Sequence, residues 1–238
     1  MTSAYGPVLA DTSLNGRGYE NFLHFIPKEW CLKDGSLIVI DFLRNDTDVV
    51  AVKSLLDEAI LSGMSWPFEE PLSDQHFRMY FFSHTALVAR NDVGVVVGAF
   101  YCKPNFPGRC AHYCNGGFIT HPLYRRRGIA TCMGKTFLVV AKAMKFKAVL
   151  FNLVFTQNHA SIALWSKLGF KRLATLPDAG RLRTGYSDAV QFYYDLEEKK
   201  TFCAQKTFRF VIGLKLVAFG CALFTLGRLT ASSSNRLQ

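Results

Sequence analysis

The order of apolar patterns in residues 37–196 is the feature that constrains the fold most. Residues 37–42 are rich in branched apolar side chains, which favour a strand, and residues 49–60 repeat apolar side chains at the helical period until Gly63. After a loop punctuated by two prolines, residues 73–83 predict a second, shorter helix. Regular structure therefore begins with a strand and two helices.

The next part of the chain supplies the strands of a larger sheet. Two β-rich runs flank the turn sequence Asn91-Asp92-Val93-Gly94, which predicts a hairpin over residues 85–102. The segments that follow are a strand at 114–120, a helix at 127–145, a strand at 148–155, a helix at 159–168 and a strand at 189–196.

This order predicts an α/β (α+β) fold with a mixed central β-sheet flanked by helices and right-handed crossovers in its parallel part. Residues 37–196 form the predicted domain. Residues 1–36 show no clear period and predict an irregular N-terminal arm, whereas residues 197–238 are a basic and apolar C-terminal tail with a predicted apolar helix.

The positive charge of the chain is unevenly distributed. The formal net charge is +10, and residues 197–238 contribute half of it. Within the predicted domain, three positive charges are adjacent at Arg125, Arg126 and Arg127. Because no nucleic-acid motif or alternating basic and aromatic stretch accompanies them, we expect no nucleic-acid partner.

Seven cysteines include a group, Cys110-Ala-His112-Tyr-Cys114 with Cys102 upstream, whose thiolates and imidazole could bind zinc. A second pair at matching spacing is missing, so no metal site is predicted. The odd total argues against a complete disulfide framework, and the N-terminus has no basic-then-apolar signal. Reduced thiols in an intracellular protein, cytoplasmic or mitochondrial, are the expectation.

The turn Arg125-x-x-Gly128-x-Ala130 lies between a predicted strand and a predicted helix. Successive backbone N–H groups at a helix N-terminus form an anion site, and the small residues Gly128 and Ala130 let a pyrophosphate approach the backbone. Arginine side chains can add charge-assisted contacts, although an arginine-rich helix start is often only a solvated face.

A second segment follows the next strand: Asn158, Ser161 and Trp165 on one helix, then Gly169-Phe170. Together the two segments resemble the GNAT superfamily of N-acetyltransferases, whose signature is Arg/Gln-x-x-Gly-x-Gly/Ala followed by an Asn-led helix ending in Gly-Phe. The resemblance covers roughly residues 37–196. Residues 98–118, 151–158 and 176–182 are more narrowly similar to the fungal L-azetidine-2-carboxylate N-acetyltransferases.

The resemblance implies acetyl transfer from acetyl-CoA to a small imino or amino acid such as a proline analogue. It implies that Asn115 and Asn152 bind substrate, and that Asn158 is the catalytic residue and also contacts the cofactor. A strand-end asparagine can instead serve only local backbone groups. The remaining implied cofactor contacts are Phe118, Ile119, Thr120, Arg125, Arg126, Arg127, Gly128, Ile129, Ala130 and Ser161.

Two further functions stay open on the sequence. One is a GNAT enzyme for another small amine, a polyamine or a protein N-terminus. The other is a catalytically silent GNAT fold that serves as a membrane-tethered binding module. Many superfamily members have tyrosine where this chain has Trp165, so no phenol acid is assigned for the leaving thiolate. Asp188, Glu69, Glu70 and His112 are candidate bases, each more typical of a structural or surface role.

The tail contains an apolar run at residues 210–227 that is interrupted by Lys215. Its length is near the lower limit for a membrane span of about 17–25 residues, and a central lysine costs about 3 kcal/mol on insertion scales. A tail anchor to an organelle membrane, an amphipathic surface helix, a segment docked on the domain and a disordered segment are all compatible with this pattern. Membrane contact and a homodimer are therefore left open.

Overall fold

The computed structural model describes residues 23–197. Within them, eight strands form one mixed sheet in the order β1-β2-β3-β4-β5-β6-β8-β7, which confirms the predicted fold class. The strands are β1 (Lys28–Cys31), β2 (Leu37–Phe42), β3 (Thr85–Asn91), β4 (Val96–Pro104), β5 (Tyr113–Thr120), β6 (Ala148–Phe155), β7 (Lys171–Leu182) and β8 (Gly185–Asp195). The helices are α1 (Asp46–Leu61), α2 (Asp74–Phe81), α3 (Ile129–Ala143) and α4 (His159–Lys167).

Helices α1 and α2 pack on one face of the sheet. The Asn45 side chain caps α1 by accepting the Asp48 N–H at 3.1 Å, and the Ser73 hydroxyl accepts an N–H of the first turn of α2. Leu56 and Phe81 are fully buried in the cluster that joins these helices to β3, β4 and β5. Burial of each such side chain contributes about 1.5–3 kcal/mol, so these helices are held mainly by their apolar faces.

Helices α3 and α4 cover the opposite face through a dense group of aromatic rings. Trp165 lies with its ring centroid 4.7 Å from that of Phe118 and 4.6 Å from that of Phe151. A β-carbon at Gly134 of α3 would lie 2.6 Å from Leu168 Cδ1, so glycine allows the two helices to approach closely. This face of the sheet is therefore covered by a continuous apolar core.

Strands β5 and β6 are the parallel pair of the described sheet, and α3 connects them. Their register has only two partner pairs, Tyr113 with Ala148 and Cys114 with Val149. Beyond these pairs the strands separate, and the pairing of β6 with β8 also shifts between Phe151 and Val154. The separation leaves a gap in the sheet toward the carboxyl ends of β5 and β6.

The sequence analysis missed two strands. The predicted irregular arm of residues 1–36 is wrong over its described part, because β1 pairs antiparallel with β2 and Leu23 is fully buried. This edge strand is only four residues long and mostly exposed, so it carries no period-2 signal. Strand β7 is also an exposed edge, and a bulge between Leu176 and Gly180 breaks its pattern.

The predicted C-terminal apolar helix and the tail beyond residue 197 lie outside the described residues. From residue 23 to residue 197, no helix combines the length and the apolar character needed to cross a membrane. The membrane contact predicted for residues 210–227 therefore stays a prediction.

Candidate active site

The turn before α3 leaves backbone donors free at the N-terminus of the helix. Gly128 is the N-cap residue in the left-handed conformation, with φ of 97°, and no side chain caps the helix. Among residues 23–197, no protein group accepts the N–H groups of Gly128, Ile129 and Ala130, whereas the Thr131 N–H donates to Gly128 O at 2.9 Å. Three free donors at a positive helix end fit a phosphate or pyrophosphate.

The three arginines of the turn have different surroundings. The Arg127 guanidinium donates to Asp34 Oδ2 at 2.7 Å and to Ser36 Oγ at 3.0 Å. Hydrogen bonds from Ser36 and Arg127 lower the pKa of Asp34 to about 2. Arg125 and Arg126 are exposed and form no ion pair within the described part of the chain. Arg127 thus holds the β1–β2 turn, and the other two remain available to an anionic ligand.

The edge of β5 that faces the gap carries unpaired backbone groups. The His121 N–H donates to Val97 O at 2.9 Å, which places the odd-numbered positions of β5 in hydrogen-bonded pairs with β4. The backbone groups of Phe118 and Thr120 therefore point toward β6. Neither residue has a partner on that strand. The backbone of Ile119 is used by β4, and its side chain is buried under α1 and α2.

Asn115 is the first residue of β5 beyond the part that pairs with β6. Its Oδ1 accepts the N–H of Gly116 at 2.7 Å, which is the first backbone donor that the separation of the strands releases. A β-carbon at Gly116 would lie 2.6 Å from the Phe137 ring, so Asn115 stands on the opposite face, toward α1 and α2. Across the β4–β5 ladder its partner is Lys103.

Asn152 of β6 pairs with an asparagine that the sequence analysis did not assign. Asn105 Nδ2 donates to Asn152 Oδ1 at 2.9 Å, and Asn152 Nδ2 donates to Asn105 Oδ1 at 2.7 Å. This reciprocal amide pair joins the extension of β4 to β6, with β5 between them in the sheet. It holds Asn152 on the same face as Asn115, since the preceding Phe151 points toward α3 and α4.

Asn158 and Ser161 lie at the start of α4. The Asn158 side chain accepts the Ser161 N–H at 3.2 Å and so caps the helix. This is the local structural role that the sequence allowed for such asparagines. The described contacts of Asn158 are those of a helix cap, and its predicted catalytic and cofactor roles stay predictions.

An aromatic cluster of Trp66, Phe68, Tyr80 and Tyr101 covers the face of the sheet that carries Asn115. The Tyr80 and Tyr101 hydroxyls lie 3.0 Å apart, and the ring centroids of Phe68 and Tyr80 are 4.9 Å apart. A β-carbon at Gly117 would approach both the Trp66 and the Tyr101 rings to 2.5 Å. Glycine therefore lets the rings lie directly on the β5 backbone beside the gap.

Lys103 extends into this aromatic cluster. Its Nζ lies 4.1 Å from the Tyr80 ring centroid and 4.5 Å from that of Tyr101, and it donates to Tyr80 O at 2.7 Å. Burial lowers the pKa of Lys103 to about 8. Burial also raises the pKa of Tyr80 to about 12 and that of Tyr101 well above its usual value.

Trp165 and the candidate bases have structural contacts. Trp165 is 4 % exposed and belongs to the aromatic packing under α4, in agreement with its unsuitability as an acid. Glu69 forms an ion pair with Arg181, and Asp188 Oδ1 accepts the Asp178 N–H at 3.0 Å. Glu70 and His112 are exposed.

The cysteine group comes together only in part, because the Cys102 thiol contacts that of Cys114. Cys102 and Cys114 are buried within the sheet, whereas Cys110 is exposed. Burial raises the pKa of the Cys102 thiol well above its usual value. Over residues 23–197, no three histidine, cysteine or acidic side chains come together as a metal site.

Comparison with known proteins agrees with this geometry. Residues 53–170 match the Acetyltransferase (GNAT) family. A solved GCN5-related N-acetyltransferase from Kribbella flavida has 25 % identity and a TM-score of 0.63, over 66 % of this chain and 97 % of that chain. The fold of yncA from Salmonella typhimurium, solved with acetyl-CoA, is also similar, at 19 % identity and a TM-score of 0.60 over 70 % and 98 % of the two chains. The chain therefore has the GNAT fold, a mixed sheet flanked by helices.

One curated relative is similar at higher identity. N-acetyltransferase aca1 from Schizosaccharomyces pombe is 48 % identical over 101 residues, which are 42 % of this chain and 48 % of the relative. The chain thus matches about half the length of that protein.

The residues that the sequence analysis missed share one signal. Tyr101, Lys103 and Asn105 occupy every second position at the end of β4 and its extension, so the strand period places them on one face. Polar groups at that period within a buried run indicate a functional surface. Tyr80 could not be found this way, because only the packing of α2 brings it to the sheet.

Proposed function

We propose that the chain is an acetyl-CoA-dependent N-acetyltransferase that acts on a small imino or amino acid. The observation that carries the proposal is the opening between β5 and β6 next to the uncapped N-terminus of α3. One end of this opening offers donors for a pyrophosphate, and its edge offers free backbone groups to an acyl chain.

The residues of the turn fit acetyl-CoA, which would supply an activated acetyl thioester. The N–H groups of Gly128, Ile129 and Ala130 would bind the pyrophosphate, and Arg125 and Arg126 would add charge at its outer side. The space beside the Gly128 α-carbon is open, since a β-carbon there would meet no atom within 4 Å.

The free N–H groups of Phe118 and Thr120 are candidates to polarise the thioester carbonyl. The neutral amine of the acceptor would attack the carbonyl carbon, a C–N bond would form, and the C–S bond would break to release the CoA thiolate. The amine proton would pass to water, and the thiolate would take a proton from solvent. Positioning of the two substrates would supply much of the rate.

A small acceptor is supported by the face that carries Asn115, Asn152 and the aromatic cluster. The loop after α1 is tied to the β7–β8 hairpin, since the Arg183 N–H donates to Gly63 O at 3.0 Å and Arg181 pairs with Glu69. These links restrict the space through which an acceptor could reach the aromatic cluster. Neutral amides suit a zwitterionic substrate, because they can donate to its carboxylate and accept from its ammonium.

The experiment that tests the proposal is a thiol-release screen with acetyl-CoA across imino acids, polyamines and peptides. We expect turnover with imino acids such as L-azetidine-2-carboxylate. Turnover with polyamines or peptides alone would support the other GNAT activities. Acetyl-CoA binding without turnover of any acceptor would favour a binding module.

A further inference from the structure

Lys103 has no role in the reaction proposed above, although it lies close to the residues of the candidate site. It pairs across the β4–β5 ladder with Asn115 and lies on the same face of the sheet as the amide pair of Asn105 and Asn152. This face borders the narrow end of the gap between β5 and β6. Lys103 therefore brings a positive charge to the face of the sheet that carries Asn115 and the aromatic cluster.

We propose that Lys103 binds the carboxylate of the acceptor and thereby selects amino and imino acids over polyamines. This inference rests on the proposed function and deepens it by naming a specificity-determining residue. A polyamine would place a second positive charge near the lysine ammonium, which Coulomb repulsion disfavours.

The contacts of Lys103 leave it able to take a ligand. Its ammonium has three N–H donors, and the described partner is a single acceptor, Tyr80 O. The Tyr80 and Tyr101 rings stabilise the charge as cation–π partners without neutralising it. In residues 23–197 no carboxylate forms an ion pair with Lys103, so its charge is uncompensated. Burial of an ammonium without an anionic partner costs free energy, and a bound carboxylate would supply that partner.

The titratable groups around Lys103 have pKa values that lie far from its own. Its pKa of about 8 lies between that of Tyr80, raised to about 12, and that of His84, lowered to about 4 mainly by burial. Tyr101 has a pKa well above its usual value. The protonated lysine is the form that binds a carboxylate, so acceptor binding is expected below about pH 8 and is lost as the pH rises through that value.

The first test compares Lys103→Met with Lys142→Met, which removes the same charge from an exposed position at the far end of α3. Acceptors are L-azetidine-2-carboxylate and its carboxamide. Wild type and Lys142→Met should prefer the carboxylate, and Lys103→Met should lose at least tenfold of that preference through a higher acceptor KM. In Lys103→Met, the fall of kcat/KM above about pH 8 should also disappear. An unchanged preference, or a loss confined to kcat, would overturn the inference.

A second test uses the wild-type protein and needs no turnover. Reductive methylation, with formaldehyde in excess over every added amine and read by mass spectrometry, should show that L-azetidine-2-carboxylate protects Lys103 in the presence of CoA, while the carboxamide and spermidine do not. Absence of protection by the carboxylate, or equal protection by spermidine, would overturn the role of Lys103. Protection without acetyl transfer would support the carboxylate site and contradict the proposed activity instead.

Discussion

The two faces of β5 differ sharply although they alternate residue by residue. On the α3 and α4 side, Gly116 and Phe118 lie against Phe137 in a packed aromatic core. On the α1 and α2 side, Asn115 and Gly117 lie beside amides, tyrosines and a lysine. One face is therefore packed with apolar rings, and the other carries polar groups that are candidates to contact a ligand. The comparison predicts that mutations on the two faces separate into stability effects and substrate effects.

Trp165→Ala should give the largest effect, and it should fall on stability. The side chain is 4 % exposed and contacts Phe118, Phe151 and Phe170, so its removal should cost about 3–5 kcal/mol of unfolding free energy. Denaturant unfolding measures this cost. Trp165→Phe is the control, because it keeps much of the ring packing and should retain near-normal kcat. A large loss of kcat in a stable Trp165→Phe protein would contradict a purely structural role.

On the opposite face, Asn152→Ala should lower kcat/KM for the imino acid by at least tenfold, about 1.4 kcal/mol, with little change in acetyl-CoA affinity. Since Asn105 forms both hydrogen bonds of the amide pair, Asn105→Ala should reproduce most of the loss. The kcat/KM of the double variant should be about equal to that of either single variant. A double-mutant cycle tests this expectation. Wild-type kinetics in both single variants would remove this face from the acceptor site.

Asn158→Ala should give the smallest effect and distinguishes a helix cap from a catalytic group. Loss of the cap to Ser161 should cost about 1 kcal/mol of stability. Asn158→Asp is the matched control, because aspartate also caps helices. If Asn158→Asp restores stability but leaves kcat at least tenfold reduced, the amide has a role in the reaction beyond capping.

The sequence predicted the elements whose periods are strong and the turn whose chemistry is local. The apolar period of α1 ends at Gly63 and that of α3 begins at the Arg125–Ala130 turn, so short-range rules sufficed there. Strands β1 and β7 were not predicted, because exposed edge strands need no apolar alternation. Their pairing depends on partners that are distant in sequence.

The candidate site was only partly predictable for a related physical reason. Gly128 and Asn115 stand in strings that resemble a known family, whereas the partnership of Asn105 with Asn152 exists only after β4 and β6 are brought together. Arg127 was expected to contact the cofactor, but its side chain is bound to Asp34 and Ser36 of the β1–β2 turn. A sequence pattern indicates which residue types are present. The pairing of the strands determines which of those residues are in contact.

Calorimetric titration of Gly128→Asp with acetyl-CoA tests the central claim most directly. Aspartate would place a carboxylate beside the free N–H groups of α3 and should abolish measurable binding. Gly128→Asn is the matched control, because asparagine has the same shape and tolerates the left-handed conformation without the charge. We expect Gly128→Asn to retain weakened binding. A folded Gly128→Asp protein with wild-type affinity would contradict the assignment of this turn to the cofactor.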